Sequence, residues 1–435
     1  MQPLTVALIM FGILFVLILL RIPVAISLAI AVLPILILEP RLTPIMLLQR
    51  MMRSYNSFIL LAIPFFILAA NIMNESDITN RLIKLSKSLV GHLPGGIAHV
   101  NVVVSMFFAG ISGASTADSA GIGSILIPSM INEGYDRRLT VAVTACSSVM
   151  GAIIPPSIIM IVWGGVMNVS VAGLFLAGLI PGVLIGLSQM LVVLFFALKR
   201  HYPVEQRETL KDIIISIRSS FLPLLTPVII IGGIIGGFFT PTEASAVAVI
   251  YSLILGVFIY KKIRLKDLPT ILLNTAKLAG LSLFALGTAS IYSWVLAFFK
   301  IPIYLVSLLN NISTSPVLML FIIIGMFILV GTFMDALPAI YILAPLLGPL
   351  AAHVGIDSYH FAITSCIALA FGFITPPYGL CLLIASEIGG INSMTALKEV
   401  GAFLLVMLFI LSLVIIFPDV SLFVPKLVIP GIFSS

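Results

Sequence analysis

Apolar stretches of about 18 residues or more recur along nearly the whole of this 435-residue chain, with charge confined to short connectors between them. Each stretch is long enough to cross a hydrocarbon layer of roughly 30 Å as a helix, and backbone inside such a layer must satisfy its own hydrogen bonds. With 61% hydrophobic and 9% charged residues and a mean hydropathy of +1.27, the chain has too little polar surface for a soluble globule. The alternation of a membrane β-barrel is absent, so the expected fold is an all-α polytopic membrane protein resting in a lipid bilayer. Leu4 to Leu20 lacks a basic flank and a small-residue cleavage site and reads as a retained helix. The net charge of +6 reports orientation, and no nucleic-acid patch is present. Cys146, Cys366 and Cys381 lie in apolar runs without CxxC spacing and read as packing residues.

Two of the apolar runs carry the same interruption, Gly151-Ala152-Ile153-Ile154-Pro155-Pro156 and Gly372-Phe373-Ile374-Thr375-Pro376-Pro377. A proline pair removes backbone donors and disfavours helix just before it, so each run is expected to be a broken helix whose carbonyls lose helical partners. Lipid tolerates such backbone only where protein or a water-filled cavity covers it, the setting of transporter ion sites near the bilayer midplane. Two further runs have polar centres: Gly110 to Ser119 between arms at 97–109 and 120–131, and Gly331 to Ala336 within 316–350. These arms are too short to span, which predicts re-entrant helical hairpins with polar tips at mid-depth.

The remaining runs predict spans at 4–20, 22–38, 58–73, 171–198, 221–239, 243–260, 278–299 and 395–417, the last followed by a short tail. Surface helices are expected at 42–56 and 267–277, and a helix after Asp77 with a basic face of Arg81, Lys84 and Lys87. Lys199, Arg200, Arg207, Lys211 and Arg218 form a basic connector dividing the chain into halves. Pro128 and Pro349, Gly134 and Gly355, Asp136 and Asp357, Gly151 and Gly372, and Pro155 and Pro376 are all separated by 221 positions, as are Gly110 and Gly331. One ungapped register through residues of these types indicates a duplication. Placing Arg137, Arg138, the connector and the Lys261 to Lys266 cluster on the cytoplasmic side gives ten crossings, two hairpins opening to opposite faces and both termini outside. The repeats are therefore inverted. Arg41, Arg50, Arg53, Lys300 and Lys426 then lie on the outer side.

Hydroxyls and unwound carbonyls suit a hard cation such as Na⁺, and exposed helix N-termini favour a carboxylate. The candidate ligands of a first ion site are Ser112, Gly113, Ser115, Thr116 and Asp118 with Gly151, Ile154 and Pro155; those of a second are Gly331, Thr332 and Asp335 with Gly372, Thr375 and Pro376. Ser115, Ser157 and Thr375 are candidate substrate contacts. Asp118 and Asp335 serve either as ion ligands or as caps of the half-helices that follow them. Glu243, Glu387, the five histidines, Trp163 and Trp294 read as interfacial or packed residues. No nucleophile with acid and base partners, phosphate loop or metal-ligand cluster is present, so no enzyme is indicated and no cofactor beyond a coupling ion.

The residues Ser112-Gly113-Ala114-Ser115 with Ala117-Asp118, Ile127-Pro128 with Gly134-Tyr135, and Gly151 through Ile154-Pro155-Pro156-Ser157 form a specific set. With Thr240-Pro241-Thr242-Glu243-Ala244, Met334-Asp335, and Thr375-Pro376-Pro377 before Gly379, it resembles the large membrane subunit of tripartite ATP-independent periplasmic (TRAP) transporters, within the ion-transporter superfamily. The resemblance covers essentially the whole chain. Ala114 stands where glycine or serine is also common, which leaves backbone ligation intact.

The resemblance implies Na⁺-coupled uptake of an organic acid, a carboxylate with sialic acid among the options, across the bacterial inner membrane. It further implies a periplasmic substrate-binding protein, a small four-helix membrane subunit that is not fused here, two Na⁺ sites and an elevator-type transporter. On that likeness residues 95–170 and 316–390 form the moving transport domain. Residues 1–94, with the surface arms, and 171–315 form the scaffold, and 391–435 the last helix and tail. A stand-alone Na⁺- or H⁺-coupled carboxylate transporter or exchanger of the same superfamily is the alternative.

Overall fold

The computed structural model describes residues 2–204, 206–309 and 315–433, and all regular structure among them is helical. In the first half α1 (Pro3–Leu19) and α2 (Val24–Leu38) form a hairpin, and α3 (Pro44–Tyr55) follows, capped by the Thr43 hydroxyl, which accepts from Met46 N. After a 3-10 turn come α4 (Ala62–Glu75), α5 (Ile78–Val90), α6 (Gly96–Ser112) and α7 (Ser115–Asn132). The first broken helix is α8 (Arg137–Ser148), a 3-10 turn and α9 (Ile158–Met167), and α10 (Val171–Arg200) ends the half.

The second half runs through α11 (Leu210–Ile235), α12 (Pro241–Leu253) with a π-helical extension, α13 (Leu268–Phe298) and α14 (Ile301–Leu309). Then follow α15 (Pro316–Gly331), α16 (Ala336–His353), the second broken helix as α17 (Ser358–Gly372) and α18 (Leu380–Gly389), α19 (Leu397–Ile416) and α20 (Asp419–Val428).

Seven segments among the described residues are long and apolar enough to cross a membrane: α4 with its preceding turn, α10, α11, α12 with its extension, α13, α16 and α19 with the turn before it. The expected crossings α1 and α2 have 17 and 15 residues. At 1.5 Å per residue α2 rises only about 22 Å, so it crosses only with its flanking turns included.

Five expectations need correction. The hairpin arms are not all too short to span: α6 and α7 have 17 and 18 residues rather than a dozen, because helix continues through the polar segment and only Gly113 and Ala114 interrupt it, and α16 of the second hairpin is itself long and apolar enough to cross. Gly113 closes α6 in the left-handed conformation (φ +64°), which a side chain would strain, and a Cβ there would lie 2.7 Å from the Pro156 carbonyl oxygen. The surface helix at 267–277 is instead the start of the 31-residue α13: Pro269 sits in its first turn, and nothing in 270–299 breaks helix. The basic connector is half helical, since Thr209 accepts from Asp212 N and starts α11 ahead of Lys211 and Arg218. The tail after 417 contains α20, which packs on α10. The basic face of α5 is also divided, with Lys84 and Lys87 exposed while the Arg81 guanidinium lies 4.1 Å over the Tyr260 ring and donates to Ser219 O.

The 221-residue register recurs in the element boundaries. α7 and α16 start and end 221 residues apart, and α8 and α17 start at the same offset. Asp136 accepts from Arg138 N, and Asp357 from Tyr359 N and His360 N, each capping its broken helix; Gly134 and Gly355 both have positive φ. The Pro155-Pro156 and Pro376-Pro377 peptide bonds are both cis. The second arms exchange between halves: α9 packs against α16 and α17, and α18 against α7 and α8. Trp163 on α9 is fully buried against Phe327 and Phe361 of the second half, a packing residue as its apolar surroundings suggested.

Candidate ion and substrate site

In the first half the hairpin tip meets the helix break directly. Ile158 N donates to Gly113 O at 3.2 Å, joining the start of α9 to the tip, and Gly151 lies against the Ala114-Ser115 backbone. The Ser115 hydroxyl donates to Val149 O at 3.4 Å, and the Ser157 hydroxyl to Ala152 O at 2.7 Å. Ser112 Oγ accepts from Ala114 N. Two carbonyls at the break, Val149 O and Ala152 O, therefore have hydroxyl partners, as buried backbone requires. Ser112, Gly113, Ser115, Gly151, Pro155 and Ser157 are thus gathered at one buried junction. Ile154 packs on Gly182 of α10, and Thr116 is half-buried one residue past Ser115.

Asp118 sits in the first turn of α7, 1% exposed, and does not cap it. Its Oδ1 lies 3.1 Å from Ser105 Oγ, and its Oδ2 has no hydrogen-bond partner. Behind it runs a polar network that sequence reasoning missed. Ser105 Oγ is also 3.1 Å from Ser147 Oγ; Ser147 donates to Asn101 Oδ1 at 3.2 Å, and Asn101 Nδ2 donates to Thr144 Oγ1 at 2.7 Å. Ser119 Oγ lies 2.8 Å from Ser148 Oγ and donates to Cys381 O on α18 at 3.3 Å, linking the halves. The signal was present as polar residues at helical spacing, Asn101 and Ser105 on α6 and Thr144, Ser147 and Ser148 on α8.

The second junction has the same backbone logic and different side chains. Tyr378 N donates to Thr332 O at 2.9 Å, tying this break to its tip close to, though not at, the register positions of the Ile158 bond, and Gly372 abuts Gly331. The Thr332 and Thr375 hydroxyls turn back to Leu329 O (2.7 Å) and Phe371 O (2.8 Å) on their own helices. Asp335 is half-buried and caps α16, its Oδ1 accepting from Ala336 N at 2.7 Å. Pro376 is half-buried beside Thr375. At the 221-residue offset Asp118 faces Ala339 and Asp335 faces Ala114, so the two carboxylates are not repeat-related.

Elsewhere Glu243 is held in a capping box, its Oε2 accepting from Thr240 N and Oγ1 at 2.8 Å each, a structural role. The three cysteines are buried and free. Arg50 lies 5.0 Å over the Trp294 ring.

The family model for the tripartite ATP-independent periplasmic transporter, DctM component, matches residues 11–420. The chain belongs to this family. It is similar to the sialic acid TRAP transporter large permease protein SiaM of Vibrio cholerae, 37% identical over 87% of this chain and 89% of that protein. The C4-dicarboxylate TRAP transporter large permease protein DctM of Pseudomonas aeruginosa is 36% identical over 87% of this chain and 88% of the relative. The 2,3-diketo-L-gulonate TRAP transporter large permease protein YiaN of Escherichia coli is 35% identical over 85% and 87%. As a DctM-family protein the chain is a transporter component rather than an enzyme, and its multi-pass helical build agrees with that.

Proposed function

We propose that this chain is the large permease subunit of a TRAP transporter and carries an organic acid across the bacterial inner membrane, coupled to Na⁺ entry. The observation that carries the reading is the buried Asp118 carboxylate beside the first hairpin tip, with one oxygen left without a partner among serine hydroxyls. Ser115 donates its hydrogen to Val149 O and keeps its lone pairs for a cation, and with the Ser112 oxygen and the Asp118 carboxylate it suits a small hard ion. Thr332, Asp335 and Thr375 supply the corresponding oxygens at the second junction. Substrate contacts are assigned to Ser115, Ser157 and Thr375 at the junctions, where helix N-termini favour a carboxylate.

The matched boundaries and exchanged second arms are what inverted repeats with re-entrant hairpins would produce, and they support an elevator motion of the hairpins and broken helices against α1–α5 and α10–α14. With Arg137 and Arg138 cytoplasmic, α7 runs from the tip toward the inner side. A soluble periplasmic protein delivers the acid, and a small four-helix subunit completes the scaffold. The names of the relatives put sialic acid, C4-dicarboxylates and 2,3-diketo-L-gulonate in the field of substrates.

Proteoliposomes carrying the complete complex test this. Uptake should require inward-directed Na⁺ and the binding protein. Equal uptake without the binding protein would favour a stand-alone exchanger, and uptake indifferent to Na⁺ would remove the coupling.

A further inference from the structure

A cleft of about 290 Å³ separates α7 from α4 and the start of α13. It lies at the lower end of small-ligand pockets, roughly 300–1,000 Å³. Its walls carry three carboxamides (Asn71, Asn74 and Asn274), the Thr79 and Ser124 hydroxyls and the Glu75 carboxylate, and none of its lining residues is basic. Asn71 Nδ2 donates to Thr275 Oγ1 at 2.9 Å, which ties α4 to α13 and holds that wall in place. Ser124 stands on the facing wall, six residues past Asp118 on the same helix and so about 9 Å along its axis.

A carboxamide offers a donor and an acceptor together, which matches neighbouring hydroxyls of a polyol; a carboxylate wall accepts from hydroxyls and repels a second carboxylate. A dicarboxylate is the wrong complement for such a lining. Resting on the transport reading above, we propose that this cleft holds the hydroxylated body of a sugar-acid substrate between the ion-bearing tip and the inner side. Its carboxamides and Glu75 select polyhydroxylated monoacids over bare dicarboxylates.

Calorimetric titration of the purified full-length chain in Na⁺ tests this, with sialic acid, 2,3-diketo-L-gulonate and gluconate as hydroxylated probes and succinate as the comparator. At least one hydroxylated acid should bind more tightly than succinate. Asn274→Ala, at the exposed rim, should weaken that acid about fivefold to tenfold, the loss of one hydrogen-bonding group. Glu75→Gln should tighten succinate by a similar factor, a gain that misfolding cannot imitate. Both variants should keep the rise in melting temperature that Na⁺ gives the parent chain. Succinate binding as tight as every hydroxylated acid in the parent, or affinities unmoved in both variants, overturns the cleft assignment. Binding of no acid overturns it as well. A retained Na⁺ stabilisation would then leave the ion sites standing, whereas its loss would take the transport reading down too.

Discussion

The helices leaving the two hairpin tips, α7 and α16, share their boundaries at an offset of 221 residues, but their surroundings differ. α16 is buried from Ala336 to Leu350 except for the half-buried Tyr341 and Pro345 and the exposed Pro349, with α13 lying along it. α7 leaves Ala120, Ser124, Ile125 and Pro128 exposed, and where α16 has a neighbour α7 has the cleft, with Gly121 abutting the Asn74 carboxamide of α4. The tips differ in chemistry as well. The first is backed by a network of hydroxyls and an incompletely paired carboxylate, while the second turns its threonines back on their own helices and uses its aspartate as a cap. The shared register thus covers backbone architecture, while accessibility and side-chain chemistry differ between the two tips.

The sharpest way to break this comparison is to remove each carboxylate. Asp118→Ala should lower Na⁺-driven uptake by the reconstituted complex by about a hundredfold, while Asp335→Ala should cost no more than about tenfold. Equal losses would make the two tips functionally equivalent. Next in size is the contact between α7 and α4. Gly121→Leu should slow uptake roughly tenfold by crowding Asn74, whereas at the counterpart position, which already holds a buried Ile342, Ile342→Leu should leave the rate within about twofold. Similar rates for both variants would show that α7 needs no close approach to α4.

Substituting the breaks probes the feature both halves share. Pro155→Ala and Pro376→Ala should each raise the Na⁺ concentration for half-maximal uptake several-fold, on the order of 1 kcal/mol of ion binding, with a smaller change in melting temperature. Unchanged Na⁺ dependence in both would remove the breaks from the ion sites. The smallest effects are on stability. Asp335→Ala should cost about 1 kcal/mol as a lost cap, and Ser105→Ala about 1 kcal/mol as a lost hydrogen bond to Asp118, read by thermal unfolding in detergent. A much larger loss from Asp335→Ala would mean that it does more than cap α16.

Much of this was legible in the residues. Leu4 to Leu20 and its successors marked helices by length alone, Gly113 and the two Pro-Pro pairs marked the interruptions, and the 221-residue register located the second tip from the first. The limits came where local signals stop. The polar run from Gly110 to Ser119 looked like a long tip, but its hydroxyls bond to neighbouring helices and so let helix continue to within two residues of the turn. Pairing Asp118 with Asp335 was natural from composition, although the register separates them and their bonding gives them different work. Asn101, Ser105 and Ser147 carried a helical polar stripe whose partners are up to 46 residues away and were visible only in three dimensions.

What the sequence determined by itself is the helical, membrane-embedded class, the 221-residue register and the positions of the breaks. These follow from hydrophobic length and from the backbone rules of proline and glycine, which act within a few residues. Only the tertiary structure decided which oxygens remain without partners, that each broken helix lends its second arm to the other half, and that the cleft lies beside α7 rather than α16. Each depends on contacts between segments far apart in the chain, and the same helix can satisfy its own backbone whether a neighbour covers it or not.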